Sequence, residues 1–418
     1  MLPAVVILLL LAVFGLPLFA VLAAGSLFYA QQSDLDSAVL ILELNRIATS
    51  PNLTTIPLFT LAGVVLAAGG APQRLIRLFN ALLGWLPGGL AVVAIAACAF
   101  FTSFSGASGV TILALGGLLY PVLSKVRYPE RFNLGLLTTS GSLGLLFPPS
   151  LAILLYGIVA GVNIDDMFVA GIVPGIVLMF LLAIYAAATG RRFEVSRHPF
   201  DWNEALTTCR SAIGDIMLPL LIIVGIFGGF VTVTEAAACT ALYVLVLEGI
   251  VHRSIALTKQ LVPLLADTAV LVGSILIILG VAMGLTNLMI DAQLPMKLLS
   301  WIEQSIDSQL KFLVVMNVFL LAVGAMMDIF SAIVVIVPLL LPLAQRFGVD
   351  PVHLGIIFLA NLEIGYSTPP VGINLFIASQ RFEKPVHSLF RATLPFLGLM
   401  LIWLMIVTYL PALSLWWR

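Results

Sequence analysis

Ser140-Gly-Ser-Leu-Gly-Leu-Leu-Phe-Pro-Pro-Ser150 and Gly365-Tyr-Ser-Thr-Pro-Pro-Val-Gly-Ile-Asn374 are stretches of helical length, each broken by a Pro-Pro pair close to glycine. Proline lacks the backbone N–H and clashes with the carbonyl one turn earlier. Two prolines in succession unwind a turn and leave carbonyl oxygens without donors. In hydrocarbon such oxygens are costly unless something satisfies them, and a small hard cation such as Na⁺ does so. One Pro-Pro pair alone reads as an ordinary kink packed by neighbouring helices. Two such pairs ask for a shared explanation.

A shift of 221 positions supplies it. Pro121 falls on Pro342, Gly144 on Gly365, Pro148-Pro149 on Pro369-Pro370 and Pro174 on Pro395, and Gly63 falls on Gly284. These residue types have backbone-specific roles, so their coincidence indicates one fold used twice. Roughly five spans separate the two breaks, and an odd number inverts the second copy. Inverted repeats with paired broken helices point to a transporter's binding site at the bilayer midplane.

Composition sets the solvent. The chain has 418 residues, of which 61% are hydrophobic and 9% charged, with a mean hydropathy of +1.16. That is too little polar surface for a water-soluble globule, so lipid is the solvent. A net charge of −1 gives no electrostatic footprint for nucleic acid. Cys98, Cys209 and Cys239 have no metal-site spacing and are expected to be small buried apolar residues. The apolar N-terminus, about Leu2 to Phe28, lacks the basic start of a secretory signal and is expected to be a retained first span.

Segments near 3–28, 53–70, 167–189, 264–290 and 389–413 are long enough to cross a bilayer, and 216–250 divides into two helices at Val231-Thr-Val-Thr-Glu235. Polar, amphipathic connectors near 36–50, 71–84 and 292–309 are either interfacial helices or solvated loops. Arg191, Arg192, Arg197 and Arg210 place the longest loop in the cytoplasm. Two apolar stretches have polar interruptions: 86–123 at Thr102-Ser-Phe-Ser-Gly-Ala-Ser-Gly109, and 311–345 at Gly324-Ala-Met-Met-Asp328. Their arms, ten to seventeen residues each, are shorter than a bilayer needs, which suggests re-entrant hairpins with polar tips buried in protein.

The second break is richer in side-chain ligands, with Ser367, Thr368 and Asn374 around it and Asp328 at the facing tip. Glu363, within an apolar run, is a functional candidate by default or a paired carboxylate of structural use. The first tip offers hydroxyls at Ser103, Ser105 and Ser108, which equally serve close helix packing. Gly106-Ala-Ser-Gly109 matches an intramembrane serine protease pattern, but His198, His252, His353 and His387 supply no base on a suitable neighbouring helix. His353 follows an Asp-Pro turn and is expected near the interface. Thr232 and Glu235 have the spacing of a capping box. Without a nucleotide-binding motif, the energy for transport comes from an ion gradient or another subunit.

With these residues in view, the chain resembles the large membrane subunit of tripartite ATP-independent periplasmic (TRAP) transporters. The matching stretches are Ile56-Pro-Leu-Phe-Thr-Leu-Ala-Gly63, Leu86-Pro-Gly-Gly-Leu-Ala91, 141–150, 232–238, Met327-Asp-Ile-Phe-Ser-Ala332 and 363–376. The resemblance implies an all-α polytopic membrane protein with two inverted repeats, two re-entrant hairpins and two broken helices, the build of an elevator-type secondary transporter. It also implies no enzymatic activity, a bacterial inner-membrane location, Na⁺ as coupling ion, and organic acids (carboxylate-type anions) as cargo. The implied partners are a periplasmic substrate-binding protein and a small four-helix membrane subunit. A stand-alone Na⁺- or H⁺-coupled organic anion transporter is the alternative.

Carried onto this sequence, one Na⁺ site comprises Ser103, Ser105, Gly106, Gly141, Ser142, Gly144 and Phe147. The other comprises Gly324, Asp328, Gly365, Ser367 and Thr368, with substrate between them near Ser105, Thr368 and Asn374. The first tip departs from the family pattern at Ala107 and Gly109, so backbone oxygens carry more of that site; Val233 stands where proline is usual. The implied division is 1–85, scaffold and arm; 86–165, hairpin and first broken helix; 166–309, scaffold and arm; 310–385, hairpin and second broken helix; and 386–418, a C-terminal scaffold helix.

Overall fold

The computed structural model describes residues 16–32, 38–49, 51–126, 128–195, 199–291, 306 and 308–418. Among these residues the structure is helical, with no strand. Seven helices are long and apolar enough to cross a membrane, and three further pairs pass that test together across a bend. The start of the 3–28 span, Arg197, His198 and most of the 292–309 connector lie outside the described residues.

Local chemistry sets where the helices begin and end. Asn163 caps the helix Ile164–Arg192, its side chain accepting from Asp165 N at 2.7 Å. Asp165 and Asp166 stand in the first turn and Arg191 and Arg192 in the last, each complementing the helix dipole. Thr232 and Glu235 form the full capping box and open Val233–Val251. The amphipathic stretch after Gly70 is a helix, Ala71–Leu83, turned 74° from Thr55–Ala68. That angle suits a helix lying in the interface.

The repeat extends to the helix boundaries. Hairpin 1 consists of Gly89–Ser105 and Ser108–Lys125, and hairpin 2 of Gln309–Met326 and Ile329–Arg346. Broken helix 1 is Glu130–Leu146 plus Leu151–Ala160, and broken helix 2 is Pro351–Gly365 plus Ile373–Phe382. Both Pro-Pro bonds are cis. Ile164–Arg192 follows the first and Val386–Tyr409 the second. The hairpin arms contain 17 or 18 residues, longer than most of the expected range. At 1.5 Å per residue they reach about 27 Å, just under the hydrocarbon thickness of about 30 Å.

Parity survives that correction, because a hairpin's two arms return the chain to its starting side however deep they run. Broken helix 1, Ile164–Arg192, Ile213–Phe227, Val233–Val251 and Leu257–Asp291 separate the start of one broken helix from the hairpin preceding the other. Among the described residues that count is odd, the parity an inverted second repeat requires. Contacts between the copies are reciprocal. Leu151–Ala160 packs on hairpin 2 and Ile373–Phe382 on hairpin 1. Val386–Tyr409 packs on broken helix 1 and Ile164–Arg192 on broken helix 2.

Ile164–Arg192 and Val386–Tyr409 join the hairpins and broken helices in one body, where Trp403 donates to Pro174 O at 2.9 Å. The second body gathers the helices of 16–83 and 202–291. The two meet mainly where Thr55–Ala68 and Ala71–Leu83 touch the first arm of hairpin 1, and where Leu257–Asp291 touches the second arm of hairpin 2.

A buried ion network braces the second body. Arg74 holds Asp215 in a two-pronged bond, Nε–Oδ2 2.7 Å and Nη2–Oδ1 2.8 Å, and also binds Glu248. Glu248 accepts in addition from Gly70 N at 3.0 Å and from the Ser254 hydroxyl. In the first body Lys384 pairs with Glu130 at 2.6 Å, and that hydrogen bond raises the lysine's pKa above its ordinary value.

Candidate functional site

Broken helix 1 is α-helical to Thr139 and tightens into a 3-10 turn over Ser140–Leu146. Pro148 and Pro149 cannot donate, so the chain closes shorter bonds, Phe147 N to Gly144 O at 3.1 Å and Ser150 N to Phe147 O at 3.0 Å. The axis then bends by 46°. Hairpin 1 turns at Gly106, whose φ of 64° is left-handed backbone that glycine adopts without strain. Tip and break are pressed together. A Cβ at Gly144 would fall on Ala99 O and Ser103 N, and one at Gly141 would meet the Ile112 side chain.

At this junction oxygens gather. Thr102 Oγ1 lies 2.9 Å from Gly141 O, 2.8 Å from Thr111 Oγ1 and 2.7 Å from Cys98 O. Ser105 Oγ is 3.4 Å from Thr111 Oγ1 and 3.5 Å from Ala107 O. Thr102, Ser105 and Thr111 are all buried. A hydroxyl has one proton to give, so Thr102 cannot donate to every oxygen around it. The cluster is acceptor-rich, the donor set that hard cations take.

Broken helix 2 solves its missing donors more completely. Prolines 369 and 370 leave the carbonyls of Gly365 and Tyr366, but Thr368 N reaches Gly365 O at 2.9 Å and Asn374 N reaches Tyr366 O at 3.0 Å. The expectation of bare carbonyls is therefore corrected at these two positions. The tip of hairpin 2 is tied across the break: Ala325 O accepts from Val371 N at 3.0 Å and Gly372 N at 3.3 Å, and Tyr366 Oη accepts from Ile329 N at 2.6 Å. Asp328 caps Ile329–Arg346, accepting from Ser331 N at 3.0 Å and from the Ser331 hydroxyl. What stays without a partner is side-chain oxygen: Ser367 Oγ and Asn374 Oδ1 here, Ser140 Oγ and Ser150 Oγ at the first break, all buried.

The sequence-derived site residues divide accordingly. Ser105, Gly106, Gly141 and Gly144 meet at the first junction, as do Gly324, Asp328, Gly365 and Ser367 around the second. Ser103 turns its hydroxyl to Phe100 O, Ser142 to Thr139 O and Thr368 to Ile364 O. The Phe147 ring lies against Gly175. Asn374 reaches the other repeat, Nδ2 to Thr138 O at 3.4 Å, and Ile377 on the same short helix touches Gly109. No hydrogen bond joins Ser105, Thr368 and Asn374 to one another. Thr102, Thr111 and Tyr366 were not among the expected site residues. Two threonines flanking one polar tip at matched depth were the available signal for Thr111; for Tyr366 there was none.

Two further readings change. Glu363 is fully buried and neither carboxyl oxygen has a partner, so it is not a paired carboxylate. His353, in the first turn of its helix, is buried with Nδ1 2.6 Å from Ser414 Oγ. Cys98 is buried but Cys239 is exposed. Among the described residues no group of three or more His, Cys, Asp or Glu could hold a metal.

Comparison with known proteins agrees with this architecture. The sequence pattern of the tripartite ATP-independent periplasmic transporter DctM component matches residues 5–413. The C4-dicarboxylate TRAP transporter large permease protein DctM of Pseudomonas aeruginosa is 35% identical over 87% of this chain and 85% of its own. The isethionate TRAP transporter permease protein DctMQ of Oleidesulfovibrio alaskensis is 34% identical over 87% of this chain and 57% of its own. In fold, the YdaH transporter of Alcanivorax borkumensis is similar with a TM-score of 0.62 at 14% identity, covering 90% of this chain and 88% of that one.

Proposed function

Because this chain belongs to the DctM component family of tripartite ATP-independent periplasmic transporters, we propose that it is the large subunit of a Na⁺-coupled, binding-protein-dependent importer of organic acids in a bacterial inner membrane. The observation that carries this reading is the repeated pairing of a polar hairpin tip with a Pro-Pro break, each pairing leaving buried oxygens short of donors. Na⁺ at the first junction is held by the Thr102, Ser105, Thr111 and Gly141 oxygens. Na⁺ at the second is held around Asp328, Ser367, Thr368 and the Gly324–Gly365 contact. The cargo lies between, within reach of Asn374.

The body built from hairpins and broken helices slides as an elevator against the body of 16–83 and 202–291, which stays in place. Tight helix packing within each body, with the mutual contact narrowed to a few helices, supports that division. A binding protein delivers the cargo and a separate small membrane subunit widens the scaffold. The names of the relatives favour small anions, so a C4-dicarboxylate is the first probe. In proteoliposomes holding this chain and its small partner, uptake of labelled dicarboxylate should require both Na⁺ and the loaded binding protein. Equal uptake without any binding protein would mark a stand-alone carrier and end the tripartite reading.

A further inference from the structure

Where hairpin 1 begins, a cavity of about 290 Å³ is lined by Pro87 and Gly88 together with Gly190, Arg191, Glu194 and Val195. Gly88 is the N-cap of the 17-residue helix Gly89–Ser105, so the cavity adjoins the positive end of that helix. Gly89 N reaches Leu86 O at 2.8 Å and Ala91 N reaches Gly88 O at 2.9 Å, but among the described residues no acceptor is bonded to the amides of Gly88 and Leu90. Trp85, two residues before Pro87, is 49% exposed, and membranes hold tryptophan at headgroup depth.

A buried hydroxyl is aimed at the same helix end. Tyr128 is 4% exposed, its ring is stacked on Phe132 with centroids 5.0 Å apart, and its hydroxyl makes no hydrogen bond. A Cβ built on Gly190 would stand 2.5 Å from Gly88 Cα, 2.8 Å from Gly88 N and 3.0 Å from Tyr128 Oη. The hydroxyl therefore lies at the Gly88–Gly190 contact in the cavity wall. The Ala91 amide approaches that oxygen but is bonded to Gly88 O, so the phenol's own proton is left without an acceptor. Burial pushes the phenol up to about 12, and at neutral pH it keeps that proton. A buried donor is costly to leave unpaired.

The cavity also brings together opposite charges that do not pair. Arg191 and Glu194 are both exposed, and among the described residues no ion pair joins them. Two amides, a phenol and a guanidinium form the donor set of a phosphate. A simple anion would be repelled by Glu194, whereas a phosphate diester joined to an ammonium group satisfies both signs. We propose that this cavity holds the headgroup of a zwitterionic phospholipid. Its phosphate lies on the Gly88 and Leu90 amides, the Tyr128 hydroxyl and Arg191, and its ammonium lies against Glu194. Such a site is independent of the cargo, coupling ion and partners proposed above.

Native mass spectrometry of the delipidated full chain, titrated with phosphatidylethanolamine, phosphatidylglycerol or inorganic phosphate, tests the assignment. Phosphatidylethanolamine should bind most tightly. Tyr128→Phe and Arg191→Gln should each weaken it about tenfold, the factor that one hydrogen bond to a charged group supplies. Glu194→Gln should remove the preference over phosphatidylglycerol. Without lipid, Tyr128→Phe should melt no lower than the parent, because it removes an unpaired hydroxyl; Arg191 is exposed, so its variant tests the site whatever the buried change does to folding. Phosphatidylglycerol binding the parent as tightly as phosphatidylethanolamine overturns the assignment. So does inorganic phosphate displacing the lipid at equal concentration, or lipid binding unchanged in either Tyr128→Phe or Arg191→Gln.

Discussion

Gly365 and Gly324 touch backbone to backbone: a Cβ built on Gly365 would fall on the Cα, carbonyl carbon and oxygen of Gly324. The second Pro-Pro break and the second hairpin tip are thereby held at a spacing that requires glycine at 365 and leaves little room for a Cβ at 324.

Gly365→Ala should therefore force hairpin 2 off the break. Overpacking of this kind costs about 1–3 kcal/mol, read as a lower melting temperature of the purified protein, and Na⁺-dependent uptake should fall with it. Gly273→Ala and Gly398→Ala make useful controls, because both positions face open space. A helical glycine changed to alanine gains up to about 1 kcal/mol, so these variants should melt no lower than the parent.

Thr102→Val keeps the shape of the side chain but removes the hydroxyl beside Gly141 O and Thr111 Oγ1. Leaving buried acceptors unsatisfied costs about 1–3 kcal/mol. The Na⁺ concentration for half-maximal uptake should rise, and Thr102→Ser should restore it. An unchanged Na⁺ titration in the valine variant would remove Thr102 from the first site.

Arg74→Ala tests the brace of the static body. Its loss leaves Asp215 and Glu248, both buried, facing each other without a counter-charge. Breaking such a network by removing one partner costs about 3–5 kcal/mol, and thermal or denaturant unfolding should show it. Arg74→Lys cannot reproduce the two-pronged bond to Asp215 and should fall between.

Much of this fold is legible in the residues because backbone-specific types carry it. The Pro-Pro breaks, the 221-residue repeat, the division at 231–235 and the Thr232–Glu235 box all rest on proline, glycine or capping chemistry that acts locally. Contacts between distant helices leave no such trace. Asn361 bonding Asn317, Tyr366 receiving Ile329 N, and Trp403 reaching Pro174 O each join residues whose neighbours look like any apolar span. For the same reason helix 164–192 reads in the sequence as a plain span, and only its contacts reveal that it packs on broken helix 2. The carbonyls at the second break show the converse, since unwinding was foreseen but the amide of Asn374, which closes one of them, comes from beyond the prolines.

The Asn361–Asn317 bond continues to Thr408 Oγ1 at 3.1 Å, linking broken helix 2, hairpin 2 and the last long helix in one polar chain. If these three move as a unit, Asn317→Leu and Asn361→Leu should be coupled. A double-mutant cycle on unfolding should give an interaction of about 0.5–3 kcal/mol, while a strictly additive pair would separate the elements.

The most direct test is the rate of dicarboxylate uptake into proteoliposomes as Na⁺ is titrated against choline, for the parent chain and for Thr368→Ala and Asp328→Ala. Two junction sites predict no uptake in choline, a Na⁺ dependence steeper than one ion allows, and a loss of that steepness in both variants with the complex still assembled. Uptake that proceeds equally in choline, or a Na⁺ dependence unaltered in both variants, would contradict the claim that the paired breaks and tips are the coupling-ion sites.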